Sequence, residues 1–309
     1  MTEFSATDAL SALSHTLAET AARSGGSVVA VNARSRRPAS GVHWRAGVVV
    51  TAEHLLPREE DILVTLADGA VRPAQLAGRD PGTDLAVLRV AGEAPPVAAL
   101  GDAAHLQPAT LALALARPGQ DLQASFGLIS AVLGPWRTWR GGQIDRQVRL
   151  DLALYPGFSG GALVDAAGRT LGIVTAGLSR SGAIAVPVET VERVVDQLLA
   201  RGRIARGYLG VGMQPVRLPT AFASTLGLAG EGGVIVVSLE AEGPAARSGV
   251  LIGDILVSLD GVAVGDTEDV LALLGPERIG RAVSAEVVRG GKRATITITI
   301  GERPGRDGR

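Results

Sequence analysis

The segment Gly157-Phe158-Ser159-Gly160-Gly161 is where residue types first point to covalent chemistry. Glycines on both sides of a serine let the backbone turn tightly and leave N–H groups free to converge on one point. Acyl transfer needs that arrangement to hold the oxyanion of a tetrahedral intermediate. The serine also needs a base, and the base needs a group that orients it. The letters fit the G-x-S-x-G elbow of α/β-hydrolases, whose chain order is Ser, acid, His. Here all four histidines, His15, His43, His54 and His105, precede Ser159, and the following ALVDAAGRTLGIVTAG reads as a hairpin rather than a helix. The elbow reading therefore fails twice, and the order His, Asp, Ser is the one left open.

Of the four histidines, His54 directly follows the apolar run GVVVTA, where a strand end can present an imidazole. His15 lies in a helical segment, His105 follows Gly101 and Asp102 in a turn, and His43 sits in GVHWRAG at a strand edge. Those three read as surface or hydrogen-bonded histidines. Asp84, in GRDPGTDLAVLRV, stands at the mouth of an apolar strand, suited to fixing an imidazole tautomer and stabilising the imidazolium. Asp80, four residues earlier, suits the competing task of capping the turn.

These residues need a turn-rich β scaffold, and the composition supplies one. The chain has 309 residues, 46% hydrophobic, with 41 Gly, 16 Pro and only 3% aromatics. Lys and Arg number 30 against 31 Asp and Glu, a net charge of −1, so there is no electrostatic footprint for nucleic acid or an anionic membrane. Cysteine is absent, which excludes disulfides, thiolate catalysis and Cys-ligated metal. Four scattered histidines make no metal cluster. With no phosphate loop or dinucleotide fingerprint either, no cofactor is expected. The apolar run Leu111 to Ala116 is strand-sized, so no membrane span is expected. The N-terminal MTEFSATDALSALSHTLAET lacks a basic region and a continuous apolar core, which predicts a chain without a secretory signal and favours the cytoplasm.

Residues 1–26 read as a helical segment, with Asp8 as its cap and Leu10, Leu13 and Leu17 at helical spacing. Residues 27–202 read as short strands punctuated by Gly, Pro and Asp, the pattern of a sandwich or barrel. They close on an amphipathic helix carrying Val191, Val194, Val195, Leu198 and Leu199, ended by Gly202. Residues 206–303 form a separate α+β unit with short helices at Pro244 to Ser248 and Thr267 to Leu274. In its final strand, Ile296, Ile298 and Ile300 alternate with threonines, the period of a half-buried strand. The tail 304–309 is expected to be disordered.

Taken in order, VVVTAEHLL, DILVTLADG, GRDPGTDLAVLRV, FGLISAVLG, YPGFSGGALVDAAGRTLGI and GPAARSGVLIGDILVSLDG resemble the HtrA/Deg trypsin-like serine proteases that carry a C-terminal PDZ domain. The resemblance covers about Ser27 to Arg303. It implies a mainly β fold, a chymotrypsin-like double β-barrel followed by an α+β PDZ domain. It implies ATP-independent serine endopeptidase activity on unfolded proteins or peptides, with His54 as base, Asp84 as orienting acid and Ser159 as nucleophile. The N–H groups of Gly157 and Ser159 would make the oxyanion hole. Thr175, Ala176, Ala183 and Ile184 would line an apolar primary pocket for small or medium aliphatic residues. Tyr208, Leu209, Gly210 and Val211 match the carboxylate-binding loop of the PDZ domain, which implies capture of C-terminal peptides in a groove beside the helix from Thr267. A homotrimer is a further implication. Phe158 departs from the family's usual Asn before the nucleophile, and its ring is expected to alter the primed side of the cleft. A proteolytically silent peptide-binding adaptor is the competing reading. The loop around Trp136, Arg137, Trp139 and Arg140, a regulatory region in the family, is expected to dock on the PDZ domain or a neighbouring subunit, with exposed Trp–Arg stacking as the plainer alternative.

Overall fold

The computed structural model describes residues 6–33, 39–92, 96–179, 182–228 and 230–303. They divide into two compact units, residues 1–204 and 205–309. The expectation for the tail 304–309 falls outside the described residues.

The first unit begins with helix α1 (Ala6–Ser24), in which Asp8 lies within the first turn rather than ahead of it. Leu10 is 67% exposed, whereas Leu17 and Ala21 join the core, so only the second half of the helix is packed. Thr20, Arg23 and Ser24 donate to the carbonyls of Ala166, Ala167 and Gly168. Six strands then close into a barrel in the order β1-β2-β3-β6-β5-β4: β1 (Val28–Asn32), β2 (Ala39–Arg45), β3 (Val48–Ala52), β4 (Ile62–Thr65), β5 (Val71–Asp80) and β6 (Leu85–Val90). A second barrel follows in the order β11-β14-β13-β12-β7-β8. Its strands are β7 (Leu111–Ala116), β8 (Gln123–Leu133), β11 (Gln147–Asp151), β12 (Ala162–Val164), β13 (Thr170–Thr175) and β14 (Ala183–Pro187). Between β8 and β11 stands a small hairpin of β9 (Trp136–Arg137) and β10 (Gln143–Ile144).

Unbroken apolar runs are explained by burial on both faces. Along β3, Val49 faces the interior of the first barrel with Val29, Val31 and Leu88, while Val48 and Val50 face the cluster between the barrels. Along β7, Ala112, Ala114 and Ala116 fill the second barrel, while Leu113 and Leu115 turn to the same central cluster. Helix α2 (Val188–Arg201) adds Val191, Val194, Val195 and Leu198 to that cluster and ends at Gly202, left-handed at φ 71°. Strands β2 and β5 were not legible as apolar runs. β5 is mostly half-exposed, and β2 is anchored by Trp44, wholly buried with its indole N–H on Glu192 of α2.

In the second unit, a sheet runs β16-β17-β18-β20-β21, with β19 (Val262–Ala263) on β18. Its members are β16 (Val211–Arg217), β17 (Gly232–Leu239), β18 (Ile255–Leu259), β20 (Ala282–Arg289) and β21 (Lys292–Thr299). β15 (Gly207–Tyr208) pairs with β22 (Gly301–Glu302). The helices are α3 (Thr220–Thr225), α4 (Pro244–Arg247) and α5 (Thr267–Ala272). α5 starts on a capping box between Asp266 and Asp269, whereas α3 had no strong signal in the sequence. Ile298 and Ile300 are buried, Ile296 is half-buried, and Thr295, Thr297 and Thr299 are exposed, as the alternation predicts. No described helix is long and apolar enough to cross a membrane.

Candidate active site

Asp84 reaches its place through the turn before β6. The Asp80 carboxylate accepts from the N–H groups of Gly82 and Thr83 (both 3.1 Å) and the Thr83 hydroxyl (2.7 Å), so Asp80 does the capping. The tightened turn leaves Asp84 at φ 57°, in the left-handed region. His54 stands on the single 3-10 turn Glu53–Leu55 that follows β3. Glu53 N–H donates to Asp84 O (3.0 Å) and His54 N–H to Asp84 Oδ1 (2.9 Å), so backbone and side chain of Asp84 both hold the turn that carries His54. His54 Nδ1 lies 2.9 and 2.8 Å from the two carboxylate oxygens. An ionised carboxylate only accepts, so Nδ1 carries the proton and Nε2 is the basic nitrogen. Asp84 is 1% exposed and the imidazole 29%, so the carboxylate lies inside and the ring reaches the surface.

Ser159 comes from the second barrel, on the loop between β11 and β12. Gly157 (φ 92°) and Gly160 (φ 88°) occupy left-handed backbone that glycine adopts without strain. A Cβ at Gly160 would lie 2.1 Å from Ser40 O, 2.7 Å from Thr51 Oγ1 and 3.0 Å from Ala52 N, so only glycine brings the Ser159 loop this close to the first barrel. Phe158 N–H is used within the turn, on Tyr155 O (3.0 Å), and Gly160 N–H bonds Val174 O (2.9 Å). Consecutive residues beyond β13 then join the parts. Ala176 N–H donates to Ser159 Oγ at 3.1 Å, and a Cβ on Gly177 would lie 2.5 Å from Asp84 Oδ2 and 2.6 Å from His54 Nδ1. Ser159 of the second barrel and the His54–Asp84 pair of the first are therefore joined through Ala176 and Gly177 at the seam between the barrels.

The other histidines stand apart from this cluster. His43 is buried with Nδ1 3.3 Å from Pro96 O, His105 is exposed beside Asp102, and His15 is exposed beside Glu19. Among the residues placed in the primary pocket, two are used elsewhere. Thr175, 1% exposed, donates its hydroxyl to Asp84 Oδ2 at 2.5 Å, so it holds the Asp84 carboxylate. Ile184, 2% exposed, points into the cluster between the barrels, because alternation along β14 sends Ala183 and Ala185 to the opposite face. Ala183 lies among the second-barrel residues that include Leu152, Leu154 and Phe158, and Ala176 is exposed. The Phe158 ring does not face the primed side. It is fully buried in the second barrel and meets the Tyr155 ring edge-on at 5.6 Å.

The Trp–Arg loop docks within its own unit. Buried Thr138 donates its hydroxyl to Gly82 O (2.7 Å), and a Cβ on Gly142 would strike the Gly82 backbone at 2.2 Å. Arg140 stacks over exposed Trp139 (4.6 Å) and lies 3.5 Å from the buried Glu53 carboxylate, beside His54. This hairpin thus grips the turns that carry Asp84 and His54, a contact with no signal in the sequence.

In the second unit, Leu209 is buried in the core while its carbonyl accepts from Ala245 N–H (2.8 Å). Gly210 (φ 75°) accepts from Glu240 N–H (2.9 Å), and a Cβ there would lie 2.9 Å from Gly243 Cα. Tyr208 is hydrogen-bonded to Glu240. Burial, followed by that carboxylate, pushes its phenol up to about 12. Val211 begins β16, the terminal strand of its sheet, and α5 packs against β16. The loop thus leads onto a sheet edge beside a helix, the setting for strand addition by a peptide.

Residues 39–173 match the family described as trypsin-like peptidase domain, and residues 207–300 match PDZ domain. A probable periplasmic serine endoprotease DegP-like from Pseudomonas putida (strain W619) is 34% identical over 267 residues, 84% of this chain and 55% of that protein. The counterpart from Halomonas elongata is 34% identical over 264 residues with the same coverage. The chain thus spans about half the length of these curated relatives. Their names point to the periplasm and overturn the cytoplasmic expectation, which rested on the lack of a visible signal peptide or membrane span. Among solved structures, the HtrA-type protease AlgW with tripeptide is 32% identical, with a TM-score of 0.71 and coverage of 94% of this chain and 98% of that one. The serine endoprotease from Yersinia pestis is 27% identical, with a TM-score of 0.71 and coverage of 93% and 98%. With a mainly β double barrel, a PDZ domain and an HtrA-type relative 32% identical and matched over 98% of its length, the chain belongs to the HtrA family of trypsin-like serine proteases.

Proposed function

We propose that the chain is an ATP-independent serine endopeptidase acting on peptides and unfolded proteins, with residues 27–202 as its protease domain and 206–303 as its PDZ domain. The observation that carries this reading is the pair Ala176 and Gly177, which binds Ser159 Oγ and backs the His54–Asp84 pair in successive residues. Ser159 Oγ attacks the scissile carbonyl while His54 Nε2 takes its proton. Asp84, itself held by Thr175, stabilises the imidazolium. The oxyanion is received by the N–H groups of Gly157 and Ser159. His54 then protonates the leaving amine, and water repeats the sequence in reverse on the acyl-enzyme. Ala183 with Leu152 and Leu154 supports cleavage after small or medium aliphatic residues. The burial of Phe158 in the barrel removes the reason for favouring a silent adaptor.

A fluorophosphonate probe tests the assignment. Wild type should label at Ser159 and degrade unfolded casein, and Ser159→Ala should lose both while keeping its Tm. Absence of labelling in an active preparation would point to another nucleophile. For the second domain, we infer that Tyr208 to Val211 receives a free apolar C-terminus. Amidating such a peptide should weaken its binding, and equal affinity of acid and amide would sink the carboxylate-loop assignment. A homotrimer follows from the family resemblance, and light scattering of the full chain tests it.

A further inference from the structure

We infer that Ser40 is a positioning residue for the oxyanion hole, acting from the opposite barrel. This role rests on the endopeptidase reading and deepens it. Ser40 lies on β2 with no exposed surface. Its hydroxyl has two partners: it accepts from Arg117 N–H at 2.8 Å, just beyond β7, and donates to Gly157 O at 2.7 Å. An N–H only donates and a carbonyl only accepts, so the direction of the hydroxyl is settled without ambiguity. The backbone carbonyl of Ser40 is held as well, by the Thr51 hydroxyl at 2.7 Å, and it is the atom a Cβ on Gly160 would strike. One buried residue of the first barrel therefore touches the nucleophile's loop on both sides of Ser159.

The consequence lies in the peptide plane between Gly157 and Phe158. Gly157, at φ 92°, has no Cβ to resist rotation of that plane. This plane lies between the planes that carry the N–H groups of Gly157 and Ser159, so a rotation about ψ of Gly157 that φ of Phe158 does not offset would swing one donor away from the other. The plane's N–H is held by Tyr155 O within the turn and the Phe158 ring is seated in the second barrel, while its carbonyl is held from the opposite barrel by the Ser40 hydroxyl. Ser40 touches no reacting atom. It acts by keeping the two donors aimed at one point, which stabilises the tetrahedral state more than bound substrate.

The test compares wild type, Ser40→Ala and Ser40→Thr in the full-length chain, using a peptide anilide ending in Val and a peptide boronate that forms a tetrahedral adduct. In Ser40→Ala, kcat should fall by about 10- to 100-fold with KM changed less than about twofold, and boronate affinity should fall in parallel with kcat. Ser40→Thr, which keeps the hydroxyl, should recover most of the lost turnover. If Ser40→Ala lowers Tm while kcat and boronate affinity stay at wild-type values, the residue only joins the barrels and the role is overturned. If both variants lose turnover and Tm together, the role is overturned in the same way. Wild-type turnover separates the two readings. An inert wild type overturns the endopeptidase assignment and this role with it, whereas an active wild type with an equally active Ser40→Ala overturns the role alone.

Discussion

The two barrels supply the candidate triad in different ways. In the first, base and acid are 30 residues apart and locked by direct hydrogen bonds of 2.8–2.9 Å, with Glu53 N–H adding a fourth tie. Their mutual geometry is a property of that barrel. In the second, Ser159 rides on a glycine loop whose position relative to His54 depends on contacts across the seam: Gly160 against Ser40 and Thr51, Thr175 on Asp84, Gly177 against the His–Asp pair. The acid–base pair is thus built locally, while the nucleophile is aligned by packing between two separately closed sheets. Damage at the seam should misplace Ser159 without disturbing the His54–Asp84 pair.

Phe158→Ala should have the largest effect. Emptying a fully buried aromatic site in the second barrel should cost about 3–5 kcal/mol, seen as a lower midpoint in urea. A midpoint within error of wild type would mean that the ring does not anchor the loop. Next comes Gly160→Ala, whose new methyl would overlap Ser40 O. A shift of roughly 1 Å in the nucleophile should lower kcat/KM about 100-fold or more, and unchanged turnover would break the claim that the seam aligns Ser159. Thr175→Val removes one charge-assisted hydrogen bond from Asp84, about 1.5–3 kcal/mol. That should appear in kcat with little change in KM, and a pure KM effect would return Thr175 to the substrate pocket.

The smallest effect concerns acid. Burial raises the Asp145 carboxyl, yet the Thr190 hydroxyl and Arg193 outweigh it and hold it below its ordinary 3.8. The depressed value means that its contribution is fully present above 3.8 and is lost as pH falls through the lower, folded value. Asp145 ties the approach to β11 onto α2, and the same helix holds Trp44 and Arg45 of the first barrel through Glu192 and Asp196. Thermal unfolding between pH 5 and 2 should therefore fall more steeply for wild type than for Asp145→Asn. Parallel curves would remove Asp145 from the seam.

The choice of His54, Asp84 and Ser159 was open to reasoning from chain order and from the turns around each residue. So were the barrel strands with unbroken apolar runs, helix α2 with its glycine stop, and the alternation around Ile298. These are local properties: period, turn chemistry and order are written in neighbouring residues. Strand β5 escaped because a half-exposed strand carries no apolar run, and β2 escaped because its buried positions include Ser40, Gly41 and His43 between the apolar ones, with Trp44 tied to α2 through Glu192. Thr175, Ile184 and Phe158 were assigned to the substrate cleft because a sequence does not say which way a side chain faces. Tertiary structure turned Thr175 to Asp84, Ile184 to the seam and Phe158 into the barrel. Ser40 and Thr138 gave no signal, since a lone hydroxyl acquires a role only from the carbonyl that folding brings within about 2.7 Å, Gly157 for one and Gly82 for the other. The sequence by itself determined which residue types could do the chemistry and the order in which they occur. Only the closing of two barrels against each other decided which hydroxyls and glycines hold that chemistry in register, because those contacts join residues 56 to 123 positions apart.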